Sequence, residues 1–306
     1  MTAYLVRRVT AGVAVLVALL LFAFLATHYI GDPVAFLADP EYATPEQIAQ
    51  LREQGGYNRP VWAQLGDFMA GAVQGDFGQS VYHNQPSRDV VLERVPRTLQ
   101  LGAVAFAVTF MVAIPLAVLA ARGRGNRVTL GIVGVTTFLA SMPGFFVALG
   151  LIFIFAVQLS WLPTSGYGWW PEMILPVIAL ALAPIGRYTQ VLEQAIGSEL
   201  KQQYVSTARS KGLAEPTVMR RHVLRNAGLV GITLLGAEVI TLLNGFVLIE
   251  QIFAWPGVGS VLLEAVVGRD LPVVMAGVVY IGVIVVAVNV AVDVTYAWID
   301  PRVRLA

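Results

Sequence analysis

The sequence predicts an all-α integral membrane protein with six transmembrane helices and both termini on the cytosolic side. Three observations predict it. The chain of 306 residues is 57% hydrophobic and only 13% charged, with a formal net charge of +1; soluble domains carry about 25% charged residues. Mean hydropathy is correspondingly high, +0.71. Six apolar stretches approach the ~20 residues a helix needs to cross ~30 Å of hydrocarbon. Finally, the 20 Lys and Arg residues divide unevenly between the two faces that alternating spans define, and such residues concentrate in short cytosolic loops.

In order along the chain, Arg7 and Arg8 precede an apolar run over 9–30. A cleaved signal peptide has a shorter apolar region of ~7–15 residues, so this run is expected to be an uncleaved first span. Residues 31–97 are too polar for lipid and long enough for a small helical cap. Within them Glu46–Glu53 has helical character, Val61–Ala72 places Trp62, Leu65, Phe68 and Met69 on one face, and Gly75-Asp76-Phe77-Gly78 signals a turn. The remaining spans are expected at 98–121, 132–157, 173–193, 228–251 and 276–298. Ser141-Met142-Pro143-Gly144 should kink the third or begin it, because proline removes a helix donor and clashes with the preceding turn; the fourth contains Pro176 and Pro184. Trp161, Trp169 and Trp170 fall where indole rings favour the membrane–water boundary. On this scheme Arg52, Arg59, Arg88, Arg94, Arg97 and Arg269 lie outside and the other Lys and Arg residues inside. The domains are then 1–30 (tail and first span), 31–97 (extracytoplasmic loop or cap), 98–299 (core of five spans, with a cytosolic loop at about 194–227) and 300–306 (cytosolic tail).

Composition also excludes chemistry. There are no cysteines, so neither disulfides nor thiolate metal sites are available. His28, His83 and His222 are scattered, and no metal site is expected. No basic block tracks a phosphate backbone, so no nucleic acid is expected as partner. The Gly-x-x-x-x-Gly-Lys-Ser/Thr phosphate cradle is missing, and Gly123-Arg124-Gly125 reads as a tight turn. Neither Gly-x-Ser-x-Gly nor His-Glu-x-x-His occurs, and Ser141 reads as a helix-kink residue, so no catalytic residue is assigned.

The most informative segment lies between the fourth and fifth spans, from Tyr204-Val-Ser-Thr-Ala-Arg-Ser-Lys-Gly-Leu213 through Arg220-Arg221-His222 to Asn226. It reads as two short amphipathic helices around a glycine turn. The first is expected over Ser198–Lys211, stopping at Gly212, which tolerates the left-handed terminal conformation, with Leu213 as the packed apolar residue. Pro216 suits the first turn of the second helix. Val205, Ala208, Leu213, Val218, Met219 and Val223 then form one apolar surface between basic flanks. The residues alone leave two readings open: an amphipathic loop resting on anionic headgroups, or a knob that docks a cytosolic partner.

Polar residues within spans are costly and mark either function or packing. Arg187, Glu238 and Asp293 are candidates for a shared depth, and Asn244 and Asn289 for hydrogen bonds between helices; packing is the favoured reading over pathway lining. Outside, Asp67, Asp76, Arg269 and Asp270 are candidates for contact with a docking protein. A solvated surface is the default for each, and Arg269-Asp270 is also read as closing a short hairpin.

The knob resembles the cytoplasmic loop of binding-protein-dependent ABC importer permeases, whose pattern is Glu-Ala-Ala, three residues, Gly, nine residues, Ile-x-Leu-Pro. Here Ser206-Thr207-Ala208, Gly212, and His222, Leu224 and Arg225 occupy those places, and only Ala208, Gly212 and Leu224 match. The dipeptide/oligopeptide/nickel branch is more similar, through Tyr204–Leu213 and Arg221–Ala227. Further matches are Gly31-Asp32-Pro33, Gly75–Ser80, Val95–Leu99, Glu250–Phe253, Pro256–Gly259, Arg269–Pro272 and Asp300–Arg302. The long first outside loop resembles that of its B-type subunit.

That resemblance implies a type I importer permease fold in a bacterial-type inner or plasma membrane, crossing it several times within membrane lipid. Tyr204, Thr207, Ala208, Arg209, Lys211, Gly212, Leu213, Arg221 and Leu224 would form the coupling loop, inserted into an ATPase subunit. Implied partners are a homologous C-type permease, two ATPase subunits or domains, and an extracytoplasmic solute-binding protein. ATP and Mg²⁺ would sit on the ATPases and no cofactor on this chain, which would import dipeptides or oligopeptides as half of the pathway. Ser206 replaces the family's Glu, so an ion pair from that position is not expected. The competing expectation is a non-transporting sensor or scaffold that uses the same knob.

Overall fold

The computed structural model describes residues 2–30, 44–54, 58–123, 126–228, 231 and 245–299. Among them the fold is all-α, and the only β pairing is one isolated bridge between Gln79 and Pro86. By their contacts the residues form two compact units, one from Met1–Thr98 with Pro256–Ala287 and one from Leu99–Trp255 with Val288–Ala306.

The first unit begins with α1, Thr2–Ile30, of which Arg7–Ala26 is apolar enough to span. The helices expected within 31–97 are present as α2, Pro45–Gln54, and α3, Val61–Gln74. α3 ends as the Gly-Asp-Phe-Gly signal requires: Gly75 takes φ +75° and Asp76 donates its N–H back to Gly71 O at 2.8 Å. Phe68 and Met69 pack inward, but Trp62 is 77% exposed, so the apolar face of α3 is narrower than its sequence pattern suggests.

Next comes α4, Ser87–Arg122, which starts well before the expected 98 and runs through Pro96 and Pro115. Its 36 residues give a rod of about 54 Å, longer than ~30 Å of hydrocarbon requires. The extra turns form because Val90, Val91 and Val95 find an apolar partner: they join Phe77 and the later helices in one core. Rings continue that core, Phe24 on Phe68 (5.6 Å), Phe68 on Phe77 (6.5 Å) and Phe77 on Tyr280 (6.0 Å).

In the second unit, α5 (Arg127–Ser141) is capped by Asn126, whose side chain accepts from the Thr129 N–H at 2.8 Å. α6 (Gly144–Leu151) follows and continues as a π-helix over Ile152–Gln158. The third span bends at the expected Ser141–Gly144 break, where α5 and α6 meet at 101°. Met142 is forced out of helical geometry, to ψ 129°, by the ring of Pro143. α7, Trp170–Glu199, is longer than the expected 173–193 and passes unbroken through Pro176 and Pro184. Glu172 closes its first turn by accepting from the Trp169 N–H at 2.9 Å. Leu101 and Ala105 of α4, Val147 and Ala148 of α6, several α7 residues and Phe246, Ile249, Phe253 and Trp255 share one core.

Among the described residues, five spans are accounted for if the bent pair is counted once. Most of the expected 228–251 span, with Glu238 and Asn244, lies outside the described residues, as do Gly31-Asp32-Pro33, Arg124 and the 300–306 tail. Residues 245–252 are helical.

Candidate functional site

The knob is built on the end of α7. Helix 203–210 does not begin at 198 as expected: α7 itself continues to Glu199, a turn follows, and α8 occupies Gln203–Ser210. α8 then stops where the glycine demands. Gly212 sits at φ +77°, its N–H reaches Arg209 O at 2.9 Å, and the Leu213 N–H reaches Ala208 O at 3.3 Å; this paired closure satisfies carbonyls that a helix end otherwise strands. α9, Glu215–Val218, has Pro216 in its first turn, widens to a π-helix over Met219–Val223 and ends in a helical stretch at 224–228.

Between these helices lies a closed apolar core. Val205, Ala208, Val218, Met219, Val223 and Ala227 are buried together with Ala117 and Ala121 of α4 and Leu192 and Ile196 of α7. Five of the six residues expected on the knob's apolar face are therefore internal. The sixth is not: Leu213 is 41% exposed and belongs to no core. The left-handed turn at Gly212 throws the chain outward just before Leu213, which leaves an apolar side chain standing at the tip.

Two polar ties hold the knob. Across the turn, Arg209 donates to Glu215 through Nε (2.6 Å) and Nη2 (3.3 Å). That hydrogen bonding holds the Glu215 carboxyl below its usual range, against the opposing effect of desolvation and helped by the guanidinium's charge. Ser206 cannot make the family's ion pair; this chain has a different one, six residues apart, that no helical i,i+4 rule would find. At the base, the Tyr204 hydroxyl donates to Glu199 and accepts from Asn226 Nδ2 (2.9 Å). Partial burial, then the Glu199 carboxylate, pushes the Tyr204 hydroxyl above its usual range. Lys211, Arg220 and Arg221 are exposed, Thr207 turns its hydroxyl back to Gln203 O (3.0 Å), and Leu224 packs on the core.

The other described sequence candidates stand on other elements. Arg187 on α7 is half-buried, as is Asn289 on α11, the final helix (Leu271–Ile299); Asp293 falls on α11 and its side chain lies outside the description. In the first unit, Asp67 is exposed and paired with Arg59, and Asp76 is exposed and accepts from Gly78 N at 3.0 Å. Asp270 corrects the expectation of a docking contact: only 1% of it is accessible. It lies between α10, Val258–Gly268, and α11, and accepts from Ser80 Oγ (2.6 Å), Val81 N (3.1 Å) and Val273 N (3.4 Å). A carboxyl so placed fastens the loop before α4 to the head of α11. Ser80 was not singled out from sequence, because nothing local joins it to a residue 190 positions away.

A multi-pass helical membrane protein with a folded, basic-flanked knob is thus the class that fold and site define. Comparison with known proteins places it. The sequence model described as "Binding-protein-dependent transport system inner membrane component" matches residues 113–305, and its N-terminal companion matches residues 1–102. The chain is 36% identical over 313 residues to a peptide transport system permease protein of Brucella abortus (strain 2308), covering 99% of each. It is 33% identical to the oligopeptide transport system permease protein AppB of Bacillus subtilis (99% of this chain, 100% of that one). With the glutathione transport system permease protein GsiC of Escherichia coli K12 it shares 32% identity over 98% of both. In fold it is similar to a chain of the inward-facing MetNI methionine ABC transporter, with a TM-score of 0.59 and 18% identity over 69% of this chain and 96% of that one. The chain belongs to the family of inner-membrane permease components of binding-protein-dependent transport systems, and its place is the bacterial inner membrane, crossed several times.

Proposed function

We propose that this chain forms one half of the translocation pathway of an ATP-driven peptide importer, with six spans and both termini in the cytosol. Its partners in this reading are a second, C-type permease, two ATPase subunits or domains that hold ATP and Mg²⁺, and an extracytoplasmic solute-binding protein; the chain itself holds no cofactor. The relatives named for peptide and oligopeptide transport, matched over nearly the whole chain, support the cargo class. One observation carries the coupling role: Leu213 stands exposed at the tip of a knob whose other apolar residues are already buried against one another. A partner that grips the knob meets Leu213 at its tip, and exposed Lys211, Arg221 and the open edge of Tyr204 offer it further contacts on the same knob. Ala208 and Leu224 act from inside, by holding the knob's shape. The two-state gating of such a machine needs a rigid lever, since force applied to a loose loop shifts no equilibrium.

Leu213→Asp tests this in proteoliposomes holding the permease pair, the ATPases and the receptor. Peptide uptake should fall at least about tenfold, the effect of losing one apolar anchor from an interface. Thermal unfolding of the chain should stay where it was, because Leu213 supports no core. Undiminished uptake would contradict the coupling role.

A further inference from the structure

Within the second unit, α5 and α7 pack through their buried sides and leave a joint face open. On α7, Pro184, Ile185, Tyr188, Thr189, Leu192 and Ile196 are buried, so the packed sides of the helix are largely apolar. Its open side is not. Arg187 and Gln190 are half-buried, Gln194 and Ser198 exposed, and steps of three, four and four residues keep them on one side of a helix. On α5 the packed side carries the buried Thr129 and Thr136, and the remaining surface divides in two. Val128, Val135 and Phe138 are exposed on one flank. Gly134, Thr137 and Ser141 are exposed on the other, roughly a third of a turn away, with Leu130 toward the Arg127 end. The Gln190 amide donates to Thr137 Oγ1 at 3.1 Å, which joins this second flank to the open side of α7 in one polar face. We infer that this face lines the water-filled pathway and that Thr137, Ser141 and Gln190 hydrogen-bond the backbone of a passing peptide, a step that rests on the importer reading above.

Depth argues against lipid as the cover. α7 has 30 residues, a rod of about 45 Å, so a hydrocarbon core of ~30 Å centred on it leaves about 7 Å of helix beyond each side. Gln190 is about 14 Å from the Glu199 end and stands inside the hydrocarbon. An amide or hydroxyl turned to acyl chains there is costly. Packed membrane helices rely on close van der Waals contact with an occasional polar bond. Here a polar group recurs at each turn of α7 from 187 to 198, over about 16 Å, and the strip runs out to the helix end, where water enters.

The chemistry of the face suits a peptide. Arg187 is already engaged, so the groups left open are neutral. The bond to Thr137 uses one N–H of the Gln190 amide, which leaves a donor and a carbonyl acceptor. Each peptide bond of the cargo offers one N–H and one C=O, and amides and hydroxyls answer both. Neutral bonds of this kind accept any side chain and still let the cargo leave, as conduction requires.

The chain contains no cysteine, so single introduced cysteines report on their own positions. Thr137→Cys, Ser141→Cys, Val135→Cys and Phe138→Cys are compared in the assembled transporter in phosphatidylcholine nanodiscs, open on both sides to a membrane-impermeant sulfonated methanethiosulfonate. Only thiolate reacts, and an apolar surround raises the thiol pKa. Positions 137 and 141 should be modified at least about tenfold faster than 135 and 138, the change in thiolate that one pKa unit gives, read from the mass of this chain. Gly134→Trp then tests passage. A β-carbon at Gly134 meets nothing within 4 Å, so the indole fits without disturbing the chain, and ATP-driven uptake of a mixed library of short peptides should be lost. Val135→Trp, on the lipid flank, should keep it. Equal labelling on the two flanks would overturn the inference, as would parent-like uptake by Gly134→Trp. Loss of the second permease from purified Gly134→Trp would overturn it too, because the face would then be a contact between proteins. Failure of the importer reading is separate: the parent transporter would import no peptide, whatever the labelling contrast.

Discussion

At position 270 a carboxyl group is withdrawn from water and given four donors, one from a hydroxyl and three from backbone amides. Removing it strands the buried Ser80 hydroxyl and takes the acceptor from the part-buried Val81 amide. Asp270→Ala should therefore cost about 3 kcal/mol, read as a lowered unfolding temperature of the purified chain; a change within experimental scatter would mean that water reaches these groups. Arg209–Glu215 is the opposite case. Both side chains are roughly half exposed, so the pair stabilises weakly and its value is geometric, bracing the turn beneath Leu213. Its pH dependence follows from the lowered Glu215 pKa: the bracing is fully present above the ordinary carboxylate value of about 4.3 and fades as pH falls through the lower folded value. A carbon-13 titration of the Glu215 carboxyl should give a lower midpoint in the parent chain than in Arg209→Gln. Equal midpoints would remove the pair from the account.

Between elements, α7 crosses α5 closely at Gly186. A β-carbon at Gly186 would lie 2.3 Å from Thr136 O and 2.7 Å from Ala140 N, backbone atoms that cannot rotate away. Small residues at such crossings let membrane helices touch. Gly186→Ala should cost about 1–3 kcal/mol through overpacking, visible as a lower unfolding temperature and yield from the membrane; parent-like stability would show that the crossing can open freely. The bend between α5 and α6 has a local origin in Met142-Pro143, whereas the prolines of α7 leave its helix intact. Proline context explains the difference. Pro143 follows a residue driven into extended geometry, while Pro176 and Pro184 are themselves buried among neighbours that keep the rod continuous.

For the molecule as a whole, activity should belong to the assembly. This chain alone in proteoliposomes is expected to give no peptide uptake, and the second permease alone none. Uptake should appear only with both permeases, the ATPases, the receptor and ATP. ATP-independent uptake by the isolated chain would refute the proposed partnership. Legibility from sequence follows the range of the interactions involved. Apolar stretches of membrane length, the glycine stop at 212 and the Pro216 helix start act over one turn or one span, and they were readable. The exposure of Leu213, the early start of α4 and the burial of Asp270 depend on which surfaces meet, and they were not.

By itself, then, the order of residues determined an all-helical membrane chain, where most of its described spans fall, and a knob that turns at Gly212, because hydropathy and backbone preference are properties of short segments. Only the tertiary structure decided which side chain is left at the knob's tip and that Asp270 is a fastener inside the protein. Those outcomes depend on contacts between residues as far apart as 80 and 270, which no local pattern encodes.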